Sequence, residues 1–403
     1  MDWFKWAPVG RYLAWLLLSF GVLIAGVGVL GTGVALALEG RQYTDPLAQF
    51  VPSLYFFGMA LGSMSGRYWL RWLGALKLFT VSAIAGSVFC LLVLLATTPV
   101  AWGILRLFQG ACLAGIYISV EVVLNTATVN RLRARTVALY QVVTYAGMAV
   151  GQWMVGYLWW GEEAWFITAS TLLAAGGVLA WSTIPGPPVA AVPQQVDSAD
   201  SHVHLQAQSA NAAKQGSLHL GLYVAGIAGV LLSSFYTVFP LVVHDFMKNL
   251  PATGNYLAVA TLTALPSLLL VAQQADRHGR KRAIFLVAFA MTCTLLLLAL
   301  YDSQLMLWGG GLVYSGLVFT VYGLGVSDIN DRVEDDRREA AAAWLVVMFS
   351  LGGCLGPWLS RWAYSNSGAS GYFVVSACAA SSMLLAGLVT DMHKHKWRRR
   401  LSP

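Results

Sequence analysis

Residues 254–301 read GNYLAVATLTALPSLLLVAQQADRHGRKRAIFLVAFAMTCTLLLLALY, and their pattern settles what kind of chain this is. Two runs, 254–274 and 283–301, are apolar almost throughout. Each is close to the ~20 residues that a helix needs to cross a bilayer. Between them, Asp276–Arg282 gathers Arg277, Arg280, Lys281 and Arg282 around Gly279. A basic turn between two long apolar runs is a membrane hairpin whose loop stays on the cytoplasmic side.

The same pattern repeats along the whole chain. Apolar runs bounded by charges or turn residues predict twelve membrane spans, near 12–38, 47–66, 75–97, 100–124, 136–160, 164–183, 218–243, 254–274, 283–301, 304–327, 340–364 and 371–391. The chain of 403 residues is 58% hydrophobic and only 11% charged, with a mean hydropathy of +0.65. Soluble domains carry about 25% charged residues, so this composition argues against a soluble enzyme. The first run, Leu13 to about Leu38, is too long for the apolar core of a signal peptide and reads as a retained span. Residues 184–217 hold four of the thirteen prolines, lack apolar periodicity, and form a linker too short for a catalytic domain. The expected organisation is all-α: two pseudo-symmetric six-helix bundles, 1–183 and 218–403, joined by the 184–217 linker and ending in a basic tail.

The net charge of +7 follows from topology and needs no nucleic-acid partner. With both termini in the cytoplasm, 21 of the Lys and Arg residues fall on that side, and only Arg41 and Lys248 on the other. That is the bias expected of a bacterial inner-membrane protein. Arg106 and Arg361 lie inside spans. Cys90, Cys112, Cys293, Cys354 and Cys378 all sit in apolar runs with neither metal spacing nor a disulfide framework. His202 with His204, and His393 with His395, lack carboxylate or thiolate partners, so no metal is expected. Gly26–Gly31 matches G-x-G-x-x-G, but it lies mid-span with no preceding strand and reads as packing glycine. No cofactor is expected. The halves repeat weakly at an offset of 205 residues: Gly74 with Gly279, Gly147 with Gly352, Gly151 with Gly356, and Trp153 with Trp358. Internal repeats of this kind occur in transporters whose substrate site lies between related halves.

The loop Asp276-Arg277-His278-Gly279-Arg280-Lys281 resembles the D-R-x-G-R-[RK] loop of the major facilitator superfamily, with Ala272 where that pattern has its first glycine. The matching loop of the first half keeps Gly74 but has Arg71 at the aspartate position. Arg106-Leu107-Phe108-Gln109-Gly110 is similar to the superfamily's R-x-x-q-G pattern. Gly147-x3-Gly151-Gln152 and Gly352-x3-Gly356-Pro357 look like its antiporter G-x-x-x-G-P element, with Gln152 in place of proline; close packing through small residues is the alternative reading. The resemblance covers essentially the whole chain and is nearest to bacterial efflux-type members.

It implies a secondary transporter without enzymatic activity, a small-molecule substrate, protons as coupling ion, and a monomer in the bilayer. Export of a small organic solute is the first expectation; proton-coupled uptake of a sugar or organic acid is the alternative. A non-transporting sensor or scaffold would need a larger soluble segment than 184–217 supplies.

Ionisable residues inside spans mark function by default. Arg106 and Glu121 lie 15 residues apart on span four, roughly 22 Å at 1.5 Å per residue, too far to pair. With Gln109 and Tyr117 they form a broad stripe and are the candidates for transport and coupling. Arg106 is equally open to a structural role on backbone carbonyls, and Glu121 to an ion pair at the cytoplasmic end. In the superfamily fold, spans one, four, seven and ten line the cavity, which nominates Thr32, Ser233, Ser234, Tyr236, Thr237, Tyr314, Thr320 and Tyr322, each also explicable as packing. Pro240 and Pro266 are expected to kink spans seven and eight. A cytoplasmic gate is expected from Arg71, Gly74, Asp276, Arg277, Gly279, Arg280, Arg131, Arg133, Asp335 and Asp336. In it, Arg71 would pair with the acids before span eleven, and Asp276 with the arginines and helix start of span five.

Overall fold

The computed structural model describes residues 9–41, 46–127, 133–158, 161–182, 219–333 and 338–401. Six helices build the first half: α1 Val9–Gly40, α2 Val51–Leu73, α3 Ala75–Leu95, α4 Pro99–Ala127, α5 Arg133–Val155 and α6 Glu162–Trp181. The second half carries α7 His219–Thr237, α8 Phe239–Met247, α9 Leu250–Leu262, α10 Ala264–His278, α11 Arg280–Leu300, α12 Leu312–Val318, α13 Val321–Asn330 and α14 Arg338–Leu401.

Among the described residues, ten segments are long and apolar enough to cross a membrane. The helix α5 is not one of them, because Arg133, Arg135, Gln141, Thr144 and Gln152 dilute its apolar content. The last of the ten, Ala343–Gly387, breaks at Ser367 and Gly368, whose backbones leave helical geometry. This is where the sequence separates spans eleven and twelve. With that division and α5, the architecture is the expected all-helical one of twelve spans. Large apolar side chains such as Trp72, Leu95, Leu269, Leu300 and Leu385 stand exposed, as lipid-facing surface requires.

Both expected proline breaks are present. Span seven is interrupted at Val238, between α7 and α8, with Pro240 in the first turn of α8. Span eight is interrupted at Thr263, between α9 and α10. In each case the ring excludes the carbonyl four residues back and offers no N–H. Span eight starts earlier than its apolar run, at Leu250, because the Asn249 side chain accepts a hydrogen bond from the Ala252 amide at 2.7 Å and caps the helix. Span ten is segmented too, with a π-helical turn at Leu307–Gly311 and an interruption before Val321.

The described residues fall into two compact units. One takes those up to 193 together with Tyr236–Leu265; the other takes those of 194–235 together with Pro266 onward. The divisions at 235/236 and 265/266 fall beside the two proline-associated interruptions.

The 205-residue repeat is visible in each unit. Gly74 ends α2 and begins α3 as a single-residue turn with φ 75° and ψ 165°; Gly279 does the same between α10 and α11 with φ 88° and ψ 148°. Backbone of this kind is essentially confined to glycine. In the first unit, a Cβ at Gly147 would press on the carbonyl of Gly21, and one at Gly151 on the carbonyl of Ala25. In the second, Gly352 meets Gly226 and Gly356 meets Val230 in the same way. Both partner residues are also displaced by 205, so span five rides on span one in the register with which span eleven rides on span seven.

Candidate functional site

Span four supplies the most unusual side chain. Arg106 is 3% exposed and Gln109 4%, one turn apart on α4. The Arg106 Nη1 donates to Gln109 Oε1 at 2.9 Å. Its guanidinium carbon lies 4.2 Å from the centre of the Tyr55 ring on α2. Gly110 makes this approach possible, because a Cβ there would collide with the Tyr55 carbonyl, and one at Gly58 with that of Leu107. The R-x-x-q-G pattern is thus one device: glycine docks span two onto span four, arginine meets the ring and glutamine holds the arginine. The Nε of Arg106 and the Nε2 of Gln109 are buried without a hydrogen-bond partner. No carboxylate pairs with Arg106 among the described residues.

The remaining predicted transport residues are spread along the same helix. Tyr117 packs edge-on against Phe20, with centroids 5.9 Å apart. Tyr236 lies within electrostatic reach of Tyr117, Tyr55 and Tyr145, which joins two predicted residues to two that sequence reasoning missed. Glu121 is exposed on the surface of span four and makes no ion pair among the described residues.

Several of the nominated cavity residues are occupied in packing. Ser234 donates to the Val230 carbonyl at 2.6 Å and accepts from Ser360 at 2.8 Å. Ser233 and Ser234 both lie against Gly356. Tyr314 is hydroxyl-bonded to Tyr372 at 2.8 Å, Tyr322 stacks edge-on with Phe349 at 4.9 Å, and Thr320 donates to the Leu317 carbonyl. Thr32 and Thr237 are buried, and Tyr236 half-buried.

At the loops, Asp276 and Arg280 pair at 2.6 Å, and Arg280 reaches Asp331 at the end of α13 at 3.2 Å. The Asp276 carboxylate is thus engaged within its own loop. Arg277 is exposed. Arg71 is exposed at the end of α2 and pairs with no acid among the described residues. Asp335, Asp336 and Arg131, and the side chain of Arg133, lie outside the described residues.

The profile of the Major Facilitator Superfamily matches residues 16–327 and 222–402. The chain belongs to the Major Facilitator Superfamily. An uncharacterized MFS-type transporter of Enterobacter sp. (strain 638) is 24% identical over 381 residues, covering 92% of this chain and 94% of the relative. The uncharacterized MFS-type transporter YcaD of Shigella flexneri is 25% identical over 400 residues, covering 96% and 97%. Among solved structures, a mutant of the nucleoside transporter NupG superposes with a TM-score of 0.79 at 16% identity, covering 95% of this chain and 99% of that one. A D-xylose-proton symporter does so with 0.70 at 14% identity, covering 94% and 97%. The chain is therefore a multi-pass membrane protein of a bacterial family of secondary transporters.

Three polar contacts of this superfamily member escaped sequence reasoning. Arg41 donates from Nε to Glu162 at 3.0 Å, lies over the Trp102 ring, and shares the Ala96 carbonyl with the Trp102 indole. It ties the ends of α1, α3, α4 and α6 together. Its signal was its isolation on a side nearly free of cations. Thr261 donates to Gln152 at 2.5 Å in a buried position, beside the close approach of Gly254 to Gly156. Gln152 was visible only as a missing proline. Asp328, 1% exposed, pairs with Arg332 one turn on; the i,i+4 spacing was legible.

Proposed function

We propose that this chain is a proton-coupled secondary transporter of the bacterial cytoplasmic membrane that exports a small organic solute by alternating access. In this reading it works as a monomer, with both termini and the 184–217 linker in the cytoplasm. The observation that carries the transport reading is the matched register of spans one with five and seven with eleven. Repeated halves with interrupted helices are how secondary carriers build a site that two gates can reach in turn. Export is supported by the glycine elements of spans five and eleven and their likeness to antiporter sequences. Coupling is assigned to Glu121, with Asp245 as the other candidate, because an arginine does not release its proton and Glu121 is the only carboxylate within span four.

The test is purified protein in proteoliposomes loaded with a pH-sensitive dye and challenged with a panel of sugars, amino acids, organic acids and hydrophobic amines. At least one solute should drive proton movement opposite to its own, and Glu121→Gln should abolish the proton signal. Solute flux without any proton movement overturns the coupling, and co-directional movement overturns export. The second reading, uptake of an organic acid, is favoured by Arg106, whose charge has no acidic partner among the described residues. Reporter fusions test the orientation: fusions at Pro403 and within 184–217 should report cytoplasm, and one after Glu162 the opposite side.

A further inference from the structure

We propose that Arg106, Gln109 and Tyr55 form the binding site of a small monovalent anion, either the carboxylate of an organic acid or a halide. The proposal rests on the transport reading for what the anion does there, and on the geometry alone for its binding.

Arginine stays charged in any protein environment, and a buried charge must be paired or otherwise compensated. No carboxylate pairs with Arg106 among the described residues. Spans two and three contain no acidic residue, and span four contains only Glu121, about four turns away. The Tyr55 ring face covers one side of the guanidinium, but a ring quadrupole is no counter-charge. Gln109 spends its one acceptor on Arg106 Nη1. What remains unpartnered is a pair of donors, the Arg106 Nε–H and the Gln109 Nε2 amide, both buried. Their i,i+3 spacing puts them on one face of α4. Donors without an acceptor, around a fixed positive charge, select a ligand that accepts and is negative. A cation is repelled, and a neutral hydroxyl would leave the charge standing. Arg106 and Gln109 are 3% and 4% exposed, so a ligand could meet these donors only through a small group such as one carboxylate or one halide ion.

The discriminating variant is Gln109→Glu. It changes one amide nitrogen to an oxygen and places a carboxylate one turn from Arg106, so the protein supplies its own anion. The experiment follows the thermal midpoint of the detergent-purified full chain in zwitterionic buffer, with millimolar sodium acetate, acetamide or sodium chloride. Acetate should raise the wild-type midpoint by about 2–4 °C, and acetamide, its neutral isostere, should not. Gln109→Glu should start from a higher midpoint than wild type and gain nothing from acetate. Arg106→Ala should also lose the acetate response; if it fails to fold, Gln109→Glu carries the test alone. A response to acetate but not chloride assigns the site to a carboxylate. A response to chloride but not acetate assigns it to an inorganic ion, and both outcomes support an anion site. If neither salt acts on the wild type, or acetate acts equally on Gln109→Glu, the site is overturned. Anion stabilisation without solute-driven proton flux would sink only the transport reading; flux of a neutral solute without any anion response would sink only the anion site.

Discussion

Spans four and ten handle charge in opposite ways. At the 205-residue offset Arg106 corresponds to Gly311, inside the π-helical turn of span ten, so the second half has no counterpart of the buried cation. Span ten carries a buried charge of its own, Asp328, but neutralises it one turn later with Arg332. Span four buries its arginine with an amide and a ring and no acid. A charge that meets its counter-charge one turn on is neutralised and reads as structure. A charge left to be completed from elsewhere is where a ligand can change the energy of the protein.

The largest expected effect separates these two charges. Arg106→Lys removes the planar fork that meets both Gln109 and the ring, and should lower transport by about ten- to a hundredfold, the worth of a lost charge-assisted hydrogen bond, with expression retained. Arg106→Ala should be inactive. Asp328→Asn should do the reverse, costing about 1–3 kcal/mol of stability while transport of the folded fraction continues. Solute flux normalised to folded protein checks both. Normal flux in Arg106→Ala, or abolished flux in Asp328→Asn, breaks the comparison.

A second contrast concerns the single-residue turns. Gly74→Ala and Gly279→Ala both force a side chain into backbone geometry that is nearly glycine-only, at about 1–3 kcal/mol each. Stability in detergent should fall in both variants. The second should fall less in observable midpoint, because the Asp276–Arg280–Asp331 contacts hold that loop after the turn is strained. Equal losses would show that the ion pairs contribute nothing to the turn.

The frame was legible in the sequence because membrane burial leaves a coarse signal. Apolar runs gave the spans, the offset of Gly74 and Gly279 gave the repeated turn, and Pro240 and Pro266 gave the interruptions. The chemistry was legible only in part. Arg106 and Gln109 stood out as polar residues in span four, but Tyr55 did not, since an aromatic in an apolar run carries no mark of what it faces. Ser234 and Tyr314 looked equally suited to a cavity or to packing. Their hydroxyl partners, Ser360 and Tyr372, lie more than 50 residues away, and no local pattern connects them.

The third contrast lies between spans five and eleven, where Gln152 stands at the position of Pro357. A proline cannot reach a neighbour, whereas Gln152 receives the Thr261 hydroxyl inside the seam of spans five and eight. Thr261→Val keeps the shape and leaves a buried acceptor unpaired, at about 1–2 kcal/mol. Gln152→Leu should cost a similar amount, and the double variant no more than the worse single, since both remove one bond. Additive losses in thermal midpoint would mean that the two side chains act separately.

The smallest effect comes from the loop ion pairs, and it is diagnostic because the two loops differ so completely there. The second-half triad of Asp276, Arg280 and Asp331 corresponds at the offset to Arg71, Ala75 and Thr126, so the first-half loop has none of it. The Asp276 side chain is 65% exposed and that of Arg280 26%, and water screens a pair so placed to about 0.2–1 kcal/mol. Arg280 also keeps Asp331 when Asp276 is neutralised. Asp276→Asn should therefore lower stability only slightly at low ionic strength, and the difference should vanish in molar salt, where the Debye length falls to about 3 Å. Arg71→Asn removes no ion pair among the described residues and should change stability less than Asp276→Asn at low ionic strength. If Asp276→Asn instead gives a loss that persists in high salt, the carboxylate is working through a hydrogen bond to the turn rather than through charge, and the contrast between the two loops is one of geometry.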